Sequence, residues 1–391
     1  MGGETAMKPQ SLTGRVVFQY FYDVGGDIML ERLPKGKLNV IERQLPRGAR
    51  VLAPKYEEAE LQPVEVDLGF INFNRRKATV KGKIFPIGVI GIYITVEFRD
   101  EKPDALIELV GLNEGLIKVE GKEMEFDEIP LKLFGELKNK IKSAIVYPYP
   151  AFERPEIYTL IILTRSDPEL RATDFLKKFK KQTAGILRGE RDWRSLSDKE
   201  AEDAVKLYLS YSEDDIVIVD WYSAIISGAV EYTDKLVRMI ELARIQLLEL
   251  KTYDRLLDER IERAYGSLRT AFTGPSMGVA WRSRQYRELS RTASELAELR
   301  IEVMDYVGDL RNILKFTGEW YLGKLYRVAS ERFRISDWLG LVDKKLNQLQ
   351  ELYAMAMERV DVHRATSLEF LMMFLIVAIV VLEIIMVVKG L

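Results

Sequence analysis

LEFLMMFLIVAIVVLEIIMVV (Leu368–Val388) is the stretch on which the reading of this chain turns. From Phe370 to Leu382 it is apolar on every helical face, whereas a helix on the surface of a globular core keeps a polar side. About 20 such residues at 1.5 Å each cross a hydrocarbon core of about 30 Å. The stretch predicts one C-terminal transmembrane helix over 367–389, anchored by Leu368, Phe370, Leu382 and Lys389. The alternative is a fully buried helix of a water-soluble domain.

Working outward, only Lys389, Gly390 and Leu391 follow, which predicts no folded mass beyond the span. The opening residues MGGETAMKPQSLTGR (Met1–Arg15) hold no apolar h-region, so no signal peptide is read there. Arg359 and Arg364 precede the span and Lys389 follows it, a slight lean toward the N-terminal side being inside. The expected placement is the cell membrane, single-pass and tail-anchored, with the bulk cytoplasmic and the lipid bilayer as a partner.

Composition narrows the chemistry. With 47% hydrophobic and 30% charged residues the chain is a folding one, long enough for two or three domains. A net charge of -2 gives no strong nucleic-acid signal. The absence of cysteine and the single histidine remove thiol catalysis, disulfides, zinc fingers and iron–sulfur ligation. Oxygen-ligand metal sites stay open, because carboxylates are plentiful.

The N-terminal region, 1–146, reads as a strand-rich α+β domain. Arg15–Val24 is aromatic and β-branched and breaks at Gly25-Gly26. Ala78–Phe85 alternates polar and apolar residues, as a strand with one wet face does, and Val89–Phe98 looks buried on both faces. Leu116–Glu120 is a further short strand, and Pro130–Ser143 a helix with proline in its first turn. Residues 147–156 hold three prolines and predict an extended connector. The segment 157–229 reads as α/β: strand Tyr158–Thr164, helices Asp174–Leu187 and Ser197–Leu209, strand Asp215–Trp221. Ser197 and Glu200 offer a capping box to the second helix.

From 230 to 366 the pattern becomes long helices. Leu236, Ile240, Ala243, Leu247, Leu250, Leu257, Ile261, Ala264 and Leu268 alternate spacings of four and three, a heptad seam broken by Asp254. A second run takes in Leu289, Ala293, Leu296, Val303, Val307, Leu310, Leu314 and Tyr321, and a third Val342, Leu346, Leu349, Tyr353, Ala356 and Val360. No Gly or Pro separates Val342 from Val388, so the third run predicts one helix roughly 70 to 80 Å long. The expected fold class is α+β: a strand-rich and α/β head, a long antiparallel helical coiled-coil stalk, and one C-terminal transmembrane helix. A compact helical domain is the alternative to the stalk.

The C-terminal pattern of Leu368-Glu369-Phe370, an apolar run, then Leu382-Glu383-Ile384 resembles the "required for meiotic nuclear division" family of membrane-anchored proteins, a domain of unknown function. Phe370 stands where that family usually has Trp. The resemblance is best over the C-terminal stalk and span; Tyr22-Asp23-Val24-Gly25 is loosely similar to the family's opening strand. Residues 246–258 are similar to its uncharacterised prokaryotic relatives. The resemblance implies a membrane-anchored oligomer that organises partners, without an accepted catalytic activity.

Among single residues Glu383 is the most unusual, with Glu369 a milder case at the near interface, where a carboxylate is tolerated. They lie about 14 residues apart, a rotation of only about 40° on an α-helix, so both carboxyls share one face of the span. A carboxylate within hydrocarbon is costly and marks a contact between helices, an oligomer interface or an ion site; otherwise it sits at the headgroups. Asp254 either fixes register in its seam or opens a wet pocket. His363 is read as a juxtamembrane polar residue, and Asp214-Asp215 as a solvated turn before a strand rather than a cation site. Gly91-Ile92-Tyr93 matches half of a nuclease motif, but its surroundings read as a strand.

The leading expectation is a membrane-anchored, oligomeric, non-enzymatic scaffold or tether. It presents its head to an unknown cytosolic protein partner and needs no cofactor. A cation transporter or channel subunit and a membrane-tethered metal-dependent enzyme are the alternatives.

Overall fold

Strand β1 (Ser11–Asp23) is central to the molecule, a computed structural model whose described residues are 11–41, 62–119, 122–146, 154–167, 169–228, 232–273 and 320–389, with scattered helical positions between 287 and 304. The remaining strands are β2 (Asp27–Ile28), β3 (Val64–Phe73), β4 (Arg76–Phe85), β5 (Val89–Glu101), β6 (Leu116–Val119), β7 (Lys122–Glu125), β8 (Ile145–Val146), β9 (Glu156–Asp167), β10 (Tyr208–Leu209), β11 (Ile216–Val219) and β12 (Ser223–Ser227). A ten-stranded sheet runs in the order β10-β11-β12-β9-β1-β5-β4-β3-β6-β7, and β2 pairs with β8 in a small second sheet. Neighbours in the large sheet are antiparallel except β12 and β9, which are parallel.

Alternation along the strands gives the sheet two different faces. Val16, Phe18, Tyr20 and Tyr22 of β1 enter one large core with Ile90, Ile92 and Ile94 of β5 and Ile161 and Leu163 of β9. Helices α1 (Pro103–Val110), α2 (Glu128–Ile141), α3 (Lys180–Arg188) and α4 (Asp198–Ala204) cover that face, contributing Leu106, Leu137, Leu187 and Ala201. Ser197 caps α4, its hydroxyl accepting the Glu200 N–H at 3.1 Å. The opposite face presents Val17, Gln19, Phe21 and Asp23 of β1. Toward its β3 side, register pairs oppositely charged residues across strands: Glu65 with Lys83, Asp67 with Lys81, and Arg15 with Glu97. The edge strand β7 is short and carries Lys122, Glu123 and Glu125, which discourages further strand addition. At Gly14 both neighbouring ladders shift register, and a side chain there would meet the Ile162 carbonyl at 2.0 Å.

Helices α5 (Thr233–Thr273), α6 (Trp320–Arg332) and α7 (Ile335–Lys389) follow. The chain divides into one unit of Met1–Thr252 with Arg311–Ser336 and a second of Tyr253–Leu310 with Asp337–Leu391. In the second unit, Lys345 of α7 pairs with Asp254 and Asp258 of α5, each at 2.6 Å, and Gln348 donates to the Tyr265 hydroxyl at 3.2 Å. These contacts advance along both helices together, so α5 and α7 run parallel there, not antiparallel. Arg260 of α5 meets Glu295 at 2.9 Å.

Several expectations are corrected. Among the described residues no helix is long and apolar enough to cross a membrane. That finding overturns the C-terminal transmembrane helix read over 367–389, with its single-pass, tail-anchored placement in the cell membrane. The apolar run Phe370–Leu382 is bracketed by Glu369 and Glu383, and falls short of the roughly 20 residues a span needs. The fold class changes with it, to a mixed α/β architecture with one large sheet and several helices. Strands from both sides of the proline-rich connector share that sheet, since β9 pairs with β1. Residues 147–153 of the connector, and most of the second heptad run, lie outside the described residues.

A buried polar seam as candidate functional site

The first half of α5 lies on the second face of the sheet, and sequence dictates an odd interface there. Leu236, Ile240, Ala243, Leu247 and Leu250 are fully buried, as their heptad spacing requires. Yet Glu241, Arg244, Gln246, Glu249 and Thr252 are buried with them. Buried charge is costly unless paired, and Glu241 and Arg244 are met from the strands.

Glu241 is met by three adjacent strands. Lys83 of β4 lies 2.7 and 2.9 Å from its two carboxylate oxygens, and Gln19 of β1 donates to Oε1 at 3.3 Å. Tyr93 of β5 completes the group, its ring 4.5 Å below the Lys83 ammonium and edge-on to Phe21 at 6.0 Å. Gly91 makes this possible. A side chain at that position would come within 2.7 Å of Tyr93 Cε2, so glycine lets the tyrosine ring fold along the strand. Burial, and then the Glu241 carboxylate, push the Tyr93 hydroxyl well above its ordinary pKa.

One turn further along, Arg244 reaches β9. Its guanidinium donates to Glu156 Oε2 at 2.6 Å, to the Ile157 carbonyl at 3.0 Å and to the Trp221 carbonyl at 3.4 Å. Its guanidinium carbon lies 4.9 Å from the Tyr158 ring centre and 4.8 Å from that of Phe333. Lys251 closes on Glu156 from the other side. Burial pulls the Arg244 pKa below its usual value, with Glu156 opposing that, and burial raises Tyr158.

A third group joins α6 to the same layer. Asp220, at the end of β11, is bridged by Arg188 at 3.1 Å and Arg332 at 3.0 Å, and both arginines also hold Asp203. The Tyr158 hydroxyl donates to the Asp220 carbonyl at 3.1 Å, and Tyr326 of α6 bonds Gln246 of α5. Each of Glu241, Arg244 and Asp220 thus has an oppositely charged side chain within ion-pair distance. Among the described residues no group of three or more His, Cys, Asp or Glu is placed to hold a metal ion.

The residues singled out from sequence are placed elsewhere. Asp254 is ion-paired with Lys345, which ties α5 to α7. Burial works to lower the Lys345 pKa, but the Asp254 and Asp258 carboxylates outweigh it and the pKa is raised. Glu369, Phe370, Leu382 and Glu383 are all exposed along α7. Leu368 and Lys389 belong to α7, and their side chains, like that of His363, lie outside the described ones. Asp215 accepts the Tyr211 and Ser212 N–H groups at 2.9 and 2.5 Å, a turn-stabilising role. Sequence reasoning missed Glu241, Arg244 and Lys345. Lys345 carried a legible signal, a cation in the third heptad run that could answer Asp254.

Of the comparisons with known proteins, the family match falls at the other end of the chain from the proposed kinship. Nothing in them indicates the meiotic nuclear division family, whose resemblance rested on a generic apolar run flanked by glutamates. The chain is 28% identical over 264 residues to "Uncharacterized protein MJ0711" of Methanocaldococcus jannaschii, covering 67% of this chain and 74% of that protein. No solved structure matches. Residues 13–233, which hold the ten-stranded sheet except for Ser11 and Leu12 of β1, match a family that takes its description from the same protein. The chain therefore belongs to the family described as Uncharacterized protein MJ0711, N-terminal domain.

Proposed function

We propose that the protein is an oligomeric, non-enzymatic scaffold that presents its α/β head to a protein partner and assembles through its helical unit. The observation that supports this is the far part of α7. There Phe370, Phe374, Ile376, Val377, Val381 and Ile384 are among a continuous run of exposed large apolar residues, Phe374 at 73% exposure. Monomeric proteins in water rarely leave so large an apolar surface uncovered. Burying one Leu, Ile or Phe side chain contributes about 1.5–3 kcal/mol, so a few facing pairs suffice to hold copies together. The buried polar seam supports the same reading from the other end, because it fixes the root of α5 rigidly on the head.

The lack of native cysteine makes the test clean. Single-cysteine variants from Phe370 to Ile385, oxidised in the full chain, should cross-link copies at positions recurring about every 3.6 residues. Failure to cross-link at every position would overturn the self-association.

A further inference from the structure

Arg244, Tyr158 and Phe333 touch one another from three different parts of the chain. The guanidinium lies against both rings, and the rings meet edge to face at 5.4 Å and 84°. Arg244 belongs to α5, Tyr158 to β9, and Phe333 sits between α6 and α7. All three are buried. The joint carrying Phe333 is a sharp one, because Arg334 takes a left-handed backbone conformation at φ 54°. Its other neighbour, Arg332, is held by the Val219 carbonyl at 3.2 Å, by Asp203 and by Asp220.

We propose that this trio is a clasp that makes the docking of α5 and of α6 on the sheet a single cooperative event. The two roots of the helical unit are thereby held or released together. The physical reason is the buried guanidinium. Its hydrogen bonds go to β9 and to the loop after β11, while one ring from the sheet and one from the α6–α7 joint pack against it side by side. Withdrawing α6 takes Phe333 away and uncovers part of the cation to solvent, loosening its bonds to Glu156 and Ile157. Withdrawing α5 takes both Arg244 and Lys251 away from Glu156, while Phe333 loses the surface it packs on. Tyr326 and Gln246 add a second link between the two helices. Neither helix can therefore leave without undoing the contacts of the other.

Native-state hydrogen exchange on the full chain tests the clasp, read separately on peptides from Leu236–Thr252 and from Trp320–Arg332. In the unaltered protein the slowest amides of both should open with the same equilibrium constant. Phe333→Ala should raise exchange in both helices by a common factor, on the order of 100-fold. Phe333→Leu, which keeps the apolar volume and loses the ring face, should raise both by about tenfold. Reciprocally, Arg244→Met on α5 should raise exchange in α6. An increase confined to α6 in the Phe333 variants, with α5 within about threefold of the unaltered protein, would overturn the proposal. So would an α6 that ignores Arg244→Met.

Discussion

Replacing Glu241 by leucine should be among the most damaging single changes in the head. The Glu241 side chain is 4% exposed and that of Lys83 15%, with 2.7 Å between them. At an effective dielectric of about 20 such a pair attracts by ~6 kcal/mol, against which the desolvation of two ions must be set. The net worth of the pair is thus small, but breaking it is not. Glu241→Leu strands the Lys83 ammonium against the Tyr93 ring and deprives Gln19 of its acceptor, an expected loss of about 3–5 kcal/mol. Lys83→Met should cost about as much, by leaving the carboxylate alone. The double variant, which removes both charges, should return to within about 1–2 kcal/mol of the parent, the remainder being the Gln19 hydrogen bond. Urea titration read by hydrogen exchange on β4, β5 and α5 peptides isolates the head from the helical unit. A single variant that costs less than about 1 kcal/mol, or a double variant whose loss is the sum of the two, would refute the reasoning.

Other consequences are equally direct. Gly91→Ala pushes a methyl group to 2.7 Å from the Tyr93 ring and should destabilise the head by about 1–3 kcal/mol, measurable in the same titration. Ser197→Ala removes the N-cap of α4 and should cost about 1 kcal/mol, seen as faster exchange in Asp198–Ala204. Raised tyrosine pKa values favour the protonated, folded form. For Tyr321, lifted to about 12 by burial and Asp215, that stability is complete below about pH 10 and is lost as pH rises toward 12. Tyrosinate absorbance on alkaline titration should show the Tyr93 and Tyr158 hydroxyls ionising only together with unfolding. Lys345, also raised, should stabilise the α5–α7 pairing at neutral pH and lose that contribution above about pH 10.4, so Lys345→Met should abolish this part of the alkaline dependence.

How much of this was legible in the sequence depends on whether the partner was local. The wet and dry faces of β4 follow from alternation within Ala78–Phe85, and the start of α4 from Ser197 and Glu200, because cause and effect lie within a few residues. The heptad seam of α5 was legible as apolar positions, but spacing does not say whether a helix or a sheet covers them. In the first half of α5 it is the sheet, and Glu241 and Arg244 are buried because Gln19, Lys83, Tyr93 and Glu156 rise to meet them from far earlier strands. Those partners are invisible to periodicity. Strand β12, only Ser223–Ser227, is too short for alternation to announce it, yet its parallel pairing with β9 joins β10 and β11 to the rest of the sheet. The C-terminal stretch misled for a different reason. Hydropathy weighed the run as a whole, and the run described between Glu369 and Glu383 is shorter than a span.

The central claim, that copies of this chain assemble through α7, is tested most directly by the mass of the full-length protein in solution. Sedimentation of the unaltered chain should give a multiple of the 45.1 kDa chain mass at micromolar concentration. Phe374→Glu combined with Val381→Glu, which charges the exposed face, should shift it to one chain with the head still folded. An unaltered chain that sediments as a strict monomer, or that floats as single copies with added lipid vesicles, would contradict the account.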